Sequence, residues 1–282
     1  VKRPGRKTFV HLTFPPAHFH RRMTSFDLSR ITRETGVQHV EYHETLGSTN
    51  KLAREVLVDL LPLCPALVLT ASQTAGRGRG SNAWWATSGA LTFSLVLDVA
   101  DLQLMPDRLP LVSLATGLAV RNAIAELVPG HTVSIKWPND VLVGGAKVCG
   151  ILTEQHAVNG RSTLIIGVGV NVNNSLAPAP EEIRQRATSI FDLHNGYSDL
   201  TEILVRLLPA IMDMIDSLRE RQTALLSELN AHSLLNDLAV TIQVGSGTTS
   251  GRCRGVDESG CLMLDDGEQV HRFNVGTVIA WS

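Results

Sequence analysis

A loop rich in glycine and arginine, QTAGRGRG at residues 73–80, has the residue types that bind an anion. Glycines let the backbone approach a ligand closely, and arginines offer planar pairs of donors to phosphate or carboxylate. Gln73 adds a neutral donor and acceptor, and Trp84 and Trp85 follow with a stacking surface. The pattern predicts an anion-binding loop. A solvated surface loop and an Arg-Gly nucleic-acid segment are the alternatives.

A second stretch with chemical potential is KWPNDVLVGGAKVCGILTE, residues 136–154. Its Trp-Pro-Asn-Asp turn, placed between two strands, brings an amide, a carboxylate and Lys136 to one sheet edge. Lys147 leads an apolar strand, so its ammonium either extends to solvent or points into a pocket. Asp140 is a candidate for a metal ion or a ribose, and an Asx turn is the alternative. Carboxylates are too sparse for a dedicated metal cage, so Mg²⁺ is expected to arrive with a nucleotide.

Several common site patterns are missing from the sequence. It has no Gly-Lys-Ser/Thr of a Walker loop, no HExxH and no GxSxG, and GVGVNV lacks the third glycine of a dinucleotide fingerprint. Ser48 and Thr49, taken alone, are interpreted as a helix cap.

The elements that must position these residues follow from periodicity and turn signals. Residues 40–44, 66–72 and 91–99 are predicted strands, and a helix is predicted after Ser48. Residues 108–127 are apolar nearly all round, which indicates a long central helix, and residues 200–218 give an amphipathic one.

Hairpin turns indicate the fold class. Gly144-Gly145 and Asn159-Gly160 each separate two strand patterns, so the sheet is expected to be antiparallel or mixed, with long helices on one side. That is an α+β fold. After about residue 236, short β segments separated by turns predict a small SH3-like barrel.

Composition sets limits on function. The chain has 282 residues, 44% hydrophobic content and a net charge of −2, which gives no global attraction to nucleic acid or anionic membrane. No apolar run reaches the roughly 20 residues of a membrane span. Cys64, Cys149, Cys253 and Cys261 form neither a zinc nor a disulfide pattern and are interpreted as reduced thiols of a cytoplasmic protein. Residues 1–22 are basic and acid-free, and are expected to be a disordered tail without a signal sequence.

Four motifs together resemble the biotin–protein ligases. They are GSTN (47–50), QTAGRGRG followed by tryptophan (73–85), KWPNDVLV with AKVCGIL (136–152) and GVGVNVN (167–173), in that order and spacing. The resemblance covers roughly Val40 to Ser282. It implies the fold group shared with lipoate ligases and class II aminoacyl-tRNA synthetases.

The resemblance also implies a two-step reaction. Biotin and MgATP give biotinyl-5′-adenylate, and a lysine on the biotin carboxyl carrier domain of a carboxylase then attacks it. By motif matching, Ser48, Thr49 and Gln73 fall where the family binds the biotin ureido ring. Lys147 matches the lysine that contacts the biotin carboxylate and the phosphate.

The remaining expected site residues follow from the same motifs. Arg77, Gly78 and Arg79 match the family's adenylate loop, Asn171 an adenine contact, and Asp140 the aspartate near the nucleotide. Lys147, Arg77 and Arg79 are the expected catalytic residues. The other residues expected to bind biotin or ATP are Asn50, Gly76, Trp84, Lys136, Asn139 and Gly150.

Two departures qualify the resemblance. Gly80 and Ser81 follow GRGR where many relatives carry another basic residue. The 39 residues before Val40 show no helix-turn-helix pattern, so a monofunctional ligase that binds no DNA is expected. The predicted organisation is a lead-in over 1–39, a catalytic domain over 40–236 and a β domain over 237–282. Whether the enzyme forms a homodimer is left open.

Alternative functions remain at this point. A lipoate or octanoate ligase shares the fold and a pocket lysine. The GRGRG motif with its following tryptophan and the KWPND motif weigh against it. A biotin-sensing repressor would need a DNA-reading module, and an Arg-Gly nucleic-acid binder would need positive charge outside the tail.

Overall fold

Seven strands form the larger sheet of the protein. The computed structural model describes residues 26–80, 82–85 and 87–282, so the basic segment 1–22 and Ser81 lie outside the described residues. The strands are β1 (His39–Leu46), β2 (Ala66–Gln73), β3 (Leu91–Asp98), β4 (Val133–Lys136), β5 (Asp140–Val143), β6 (Ala146–Val158) and β7 (Arg161–Val170). Their order is β1-β2-β3-β7-β6-β5-β4, and only the β1–β2 pair is parallel. The sheet is therefore mixed, as predicted.

Both predicted hairpins are confirmed. Gly144 and Gly145, with φ of 58° and 86°, connect β5 to β6, and Asn159 and Gly160, with φ of 50° and 76°, connect β6 to β7. A two-residue turn with positive φ at both positions matches the right-handed twist of the flanking strands, and glycine and asparagine adopt it readily.

The helices pack on both faces of this sheet. They are α1 (Leu28–Thr35), α2 (Thr49–Glu55), α3 (Leu57–Leu60), α4 (Val99–Leu102), α5 (Val112–Leu127), α6 (Glu181–Arg184), α7 (Ile190–His194), α8 (Leu200–Glu220) and α9 (Gln222–Ala231). The long helices α5 and α8 share the main core with alternate residues of β2, including Leu67 and Leu69. The intervening Ala66 and Val68 pack with α2 and α3 in a smaller core. The two long helices thus lie on one side, as predicted, and short helices cover part of the other.

The predicted helix over residues 108–127 has two parts. Pro106–Leu111 forms a 3₁₀ segment, and the α-helix α5 begins only at Val112. Pro110 lacks a backbone N–H and disfavours the α conformation of the residue before it, which accounts for the later start.

Helix α1 was not anticipated from the sequence. Asp27 caps it by accepting from Arg30 N at 2.9 Å, and Gly36 ends it with φ of 75°. Its Ile31 is fully buried in the main core, and Arg30 Nη2 pairs with Glu202 of α8 at 2.6 Å. Part of the predicted lead-in therefore packs on the main body.

A second sheet forms from the C-terminal strands. They are β8 (Ala239–Val244), β9 (Gly247–Val256), β10 (Leu262–Asp265), β11 (Val270–Phe273) and β12 (Thr277–Trp281). The order is β11-β10-β9-β8-β12, with every neighbouring pair antiparallel. The predicted closed barrel is not confirmed, because no ladder joins the edge strands β11 and β12 in this sheet. Both edge strands are only four or five residues long, which limits the pairing they can offer.

Two further sequence expectations concern cysteine and membranes. Cys64, Cys149, Cys253 and Cys261 are all free thiols. Burial raises the pKa of the Cys64 thiol to about 11 and raises that of Cys149 further, so these thiols resist ionisation. Among the described residues, no helix combines the length and apolar character needed to cross a bilayer.

Candidate active site

A cavity of about 720 Å³ lies between the larger sheet, the glycine-rich loop and β12. Its lining includes every sequence-predicted site residue except Gly76: Ser48, Thr49, Asn50, Gln73, Arg77, Gly78, Arg79, Trp84, Lys136, Asn139, Asp140, Lys147, Gly150 and Asn171. These residues come from four motifs spread over more than 120 positions of the chain. The fold therefore collects the predicted residues into one cavity.

A neutral polar cluster forms one part of the cavity wall. Thr49 donates to Gln73 Oε1 through its backbone N at 2.7 Å and its Oγ1 at 3.3 Å, and Ser48 caps helix α2. All three side chains are buried. The helix start and the end of β2 are thus fastened together, and their hydroxyl and amide groups face the cavity without adding charge. Such a wall suits a neutral, polar ring.

Asn50 lies in the same wall, but its side chain is already bonded within the fold. Asn50 Nδ2 donates to Leu152 O at 3.1 Å and to Glu154 Oε2 at 2.8 Å, and Asn50 Oδ1 accepts from Ser94 Oγ at 2.6 Å. Asn50 therefore links helix α2 to β3 and β6. Its predicted ligand contact stays a prediction.

Asn171 and Asn139 are held in the same manner. Asn171 Nδ2 donates to Thr188 O at 3.1 Å, and Asn171 Oδ1 accepts from Asn174 Nδ2 at 3.0 Å. Asn139 Nδ2 donates to Ile151 O at 2.6 Å. Both amides are bonded within the walls of the cavity, and for the buried Asn171 an amide without partners would be costly. Their predicted contacts with a nucleotide also stay predictions.

The glycine-rich loop folds back on itself beside the cavity. Trp84 N donates to Gly76 O at 3.0 Å, and Gly78 N donates to Asn82 O at 2.8 Å. Gly76 thus holds the loop through its backbone bond with Trp84 and is not part of the cavity lining, whereas Arg77, Gly78 and Arg79 line the cavity. Its two arginines are brought to the cavity by a backbone that pairs with itself across the turn.

The Trp84 ring lies directly on the cavity floor. A Cβ at Gly169 would be 2.5 Å from Trp84 Cε2, so only glycine permits this approach. Trp84 Nε1 is buried and has no hydrogen-bond partner among the described residues. A buried donor without a partner is unfavourable, so this N–H costs the fold free energy at the cavity floor.

Lys147 lines the cavity, with its side chain partly exposed. Its Nζ forms an ion pair with Asp140 Oδ1 at 2.6 Å and stands 5.8 Å from the centroid of the Trp84 ring. Gly150 lies beside the ammonium, where a Cβ would be 3.0 Å from Nζ. Backbone bonds from Lys147 N to Arg186 O (2.7 Å) and from Thr188 N to Lys147 O (2.9 Å) fix the start of β6. The lysine is therefore held next to Asp140, with which it forms an ion pair.

Positive charge is concentrated in this half of the cavity. Burial lowers the pKa of Lys136, and the nearby Lys147 and Arg186 lower it further, while Asp140 opposes them. Burial likewise lowers the pKa of Arg79. Burial and neighbouring cations thus disfavour the charged form of Lys136, and burial disfavours that of Arg79. A polyanionic ligand would relieve both effects.

Some site residues escaped the sequence analysis. Arg186 lines the cavity from the segment after helix α6, and Trp281 and Gly276 line it from the second sheet. Trp281 stacks on Lys136 at 4.1 Å, and Gly276 O accepts from Arg79 Nη1 at 3.4 Å. No local pattern in the sequence marks them, since they reach the cavity only through tertiary packing.

Among the described residues, two carboxylates line the cavity, those of Asp140 and Glu182. In the described part of the chain, no group of three or more His, Cys, Asp or Glu residues could hold one. Asp140 is an oxygen donor at the cavity, and it is shared with Lys147. A divalent cation here would need most of its ligands from a bound substrate or water.

Comparison with known proteins places the chain in a family. Residues 44–171 match the Biotin/lipoate A/B protein ligase family model. The biotin–[acetyl-CoA-carboxylase] ligase of Mycobacterium tuberculosis is 35% identical over 249 residues, which span 87% of this chain and 90% of that protein. The bifunctional ligase/repressor BirA of Bacillus subtilis is 32% identical over 239 residues, or 84% of this chain and 72% of that protein.

The fold agrees with these sequence relatives. The biotin protein ligase of Aquifex aeolicus, solved in complex with biotin and ATP, superposes with a TM-score of 0.73 at 26% identity. The match covers 87% of this chain and 99% of that one. The α+β fold, its pocket and its relatives are those of a ligase. The chain belongs to the biotin/lipoate A/B protein ligase family.

Proposed function

We propose that the chain is a biotin–protein ligase. It joins biotin to ATP as biotinyl-5′-adenylate, releases pyrophosphate, and transfers biotin to a lysine on the carrier domain of a biotin-dependent carboxylase. The observation that carries this proposal is one cavity lined both by a neutral polar wall at the start of α2 and by a cluster of cations. A ligand with a neutral fused ring at one end and phosphate at the other fits both halves.

The neutral wall is assigned to the biotin ring. Ser48, Thr49 and Gln73 offer hydroxyl and amide groups that can both donate to and accept from a ureido group. Gln73 is oriented by Thr49 N at 2.7 Å, so its amide NH₂ is left for the ligand. A ring that meets preoriented groups loses less free energy on binding than one that must order them.

The cationic half is assigned to the reacting groups. Attack of the biotin carboxylate on the α-phosphate brings two anions together, and the negative charge grows on the phosphate oxygens in the transition state. Lys147 stands between the floor and Asp140 and is the cation best placed to contact both anions. Arg77 and Arg79 supply further donors from the loop, and Lys136 and Arg186 extend the positive field along the polyphosphate.

Trp84 is assigned to hold the intermediate and to exclude water. Its ring lines the cavity and covers Gly169 on the floor. Biotinyl-adenylate is a mixed anhydride that hydrolyses, so a closed apolar cover preserves it until the acceptor lysine arrives. That amine then attacks the biotinyl carbonyl, an amide forms, and AMP leaves.

Magnesium is proposed as a companion of ATP. Among the described residues, Asp140 and Glu182 are the carboxylates that line the cavity, and no group of three could hold a metal, which fits an ion held largely by the polyphosphate and water. When bound, Mg²⁺ would neutralise phosphate charge. Its presence in the cavity would also draw Asp140 away from Lys147 and free the ammonium for substrate.

The second sheet is proposed to be the SH3-like unit of the family, and residues 237–282 its domain. The edge strands β11 and β12 are separated by three residues, from Asn274 to Gly276. Their facing ends are consequently no more than about 14 Å apart. Opposite edges so close together require a strongly curled sheet, which supports a nearly closed barrel. The use of ATP supports the cytoplasm as the place of action.

Lipoate activation is the alternative within the same family. The named relatives and the superposed structure carry biotin ligase names. The polar wall of Ser48, Thr49 and Gln73 also favours a ureido ring over a dithiolane, which makes no comparable hydrogen bonds. Biotin is therefore preferred.

The discriminating experiment is ATP–pyrophosphate exchange with each acid. Purified protein is given labelled pyrophosphate, MgATP and either biotin, lipoate or octanoate. We expect exchange with biotin only, and its loss in Lys147→Ala. Exchange that needs lipoate and not biotin would overturn the proposed substrate.

A further inference from the structure

The second sheet touches the cationic half of the cavity through Trp281. The face of this ring lies 4.1 Å from Lys136 Nζ, and both residues line the cavity. Lys136 ends β4 in the larger sheet, and Trp281 ends β12 in the smaller one. A long and flexible ammonium side chain is thus covered by a residue 145 positions away in the chain.

Trp281 is itself held firmly in place. It pairs with Val240 in the β8–β12 ladder, and the next residue, Ser282, exchanges two hydrogen bonds with Ala239, at 3.0 and 3.1 Å. Trp281 as a residue is 39% exposed, and its ring covers the lysine. The backbone around it leaves little freedom to move away from Lys136.

The Trp281 ring attracts the Lys136 ammonium without neutralising its charge. Lys147 and Arg186 repel Lys136, and Asp140 is already paired with Lys147. A carboxylate in place of Trp281 would hold the ammonium but would also cancel its charge. The ring attracts the cation through its quadrupole and leaves the charge available to a phosphate.

The same strand approaches the other cationic group. Gly276 immediately precedes β12, and its carbonyl accepts from Arg79 Nη1 at 3.4 Å. Both ends of β12 therefore contact a cation of the cavity, one from the loop and one from β4. The second sheet is placed to set where these charges stand.

We propose that Trp281 is a positioning residue that fixes Lys136 for the nucleotide polyphosphate, so that the second sheet sets the affinity for ATP and not for biotin. The inference rests on the proposed function for the identity of the polyanion. Lys136 lies in the cationic half, whereas Ser48, Thr49 and Gln73 form the wall assigned to biotin, so the two substrates respond differently. Loss of the ring releases Lys136 toward solvent and away from the phosphates.

The test compares three variants in biotin-dependent ATP–pyrophosphate exchange. Trp281→Leu removes the aromatic face and keeps an apolar side chain, Trp281→Phe keeps a ring, and Ile279→Ala alters an exposed neighbour on the same strand that does not line the cavity. We expect Trp281→Leu to raise KM for ATP about 5- to 30-fold, which corresponds to about 1–2 kcal/mol. KM for biotin should change less than about twofold, and the Phe and Ile279 variants should stay close to the parent.

A second comparison separates positioning from general damage to the sheet. In a Lys136→Met background, Trp281→Leu should add no further change in KM for ATP, since its effect passes through that ammonium. An additive effect, or an equal rise in KM for biotin, would overturn the inference. Unchanged KM for ATP in the single variant would overturn it as well.

The outcome also stays distinct from that of the proposed function. If the parent shows no biotin-dependent exchange, the proposed function fails. Calorimetric titration with MgATP alone then tests the role of Trp281. Weaker MgATP binding by the Leu variant supports the inference, and equal binding refutes it. If Trp281→Leu does not fold by circular dichroism, Trp281→Met takes its place with the same expectations.

Discussion

Replacement of Lys147 by alanine should separate catalysis from stability. Lys147 and Asp140 are both partly exposed, with side-chain exposures of 33% and 22%, so their 2.6 Å ion pair is screened by solvent. A pair of this kind contributes about 0–1 kcal/mol to folding. The variant should therefore remain folded, with a melting temperature close to that of the parent.

The expected loss in rate is much larger. Lys147 is the cation assigned to the charge that accumulates on the α-phosphate, and one such interaction contributes about 2–4 kcal/mol to the transition state. That corresponds to adenylate formation about 30- to 1,000-fold slower. The variant also leaves Asp140 unpaired, which adds a negative charge beside the phosphates and makes the loss greater.

The assay is a single-turnover measurement of adenylate formation with biotin and labelled ATP. Lys51→Ala is the matched control, because Lys51 is an exposed lysine on helix α2 whose contact with Glu55 is 3.7 Å long. It should form adenylate at the parental rate. If Lys147→Ala stays folded and retains a rate within about threefold of the parent, the ammonium makes no special contact in the transition state, and the assignment is refuted.

Three further predictions concern other parts of the molecule. Gly117→Ala should stabilise the fold by about 0.5–1 kcal/mol and raise the melting temperature by about 1–3 °C in calorimetry. The reason is that Gly117 lies inside helix α5, where an added Cβ would meet Ile151 Cδ1 at an ordinary 3.5 Å. A lower melting temperature would show that the site is overpacked. The pKa of Lys136 is lowered from its ordinary 10.5, so as the solution becomes alkaline its positive charge is lost at a lower pH than usual, and ATP affinity should start to fall before pH 10.5. Lys136→Arg should move that fall to higher pH, and an unchanged pH profile would contradict this role. Arg79→Ala removes a loop contact with Gly276 O at 3.4 Å, so more adenylate should escape and biotinylate serum albumin, as detected with labelled streptavidin. Equal albumin labelling together with lost adenylate synthesis would show that the loop is a static part of the site.

Local signals in the sequence were enough for most of the fold. The turns at Gly144-Gly145 and Asn159-Gly160 are confirmed because such pairs adopt positive φ with little strain. The buried strands and the long helices followed from apolar periodicity. Helix α1 could not be predicted in this way, because Ile31 is its one fully buried apolar residue and tertiary contacts with helix α8 stabilise it. The barrel was predicted from strand spacing, which does not determine whether a sheet closes.

The site was predictable where its residues cluster in the sequence. Lys147 and Asp140 lie seven positions apart, and the hairpin between them brings them to 2.6 Å. Arg186 and Trp281 were missed because they come from segments without a motif and meet the cavity only in three dimensions. The sequence also could not show that the amides of Asn50 and Asn171 are bonded within the fold, since their partners are distant in the chain.

The central claim is that one cavity holds biotin at its neutral wall and the nucleotide at its cationic half. A crystal structure with biotin and a non-hydrolysable ATP analogue tests this most directly. The account predicts the ureido ring against Ser48, Thr49 and Gln73, and the α-phosphate within hydrogen-bond distance of Lys147. Biotin bound outside this wall, or phosphates with no contact to Lys147 or the loop arginines, would contradict it.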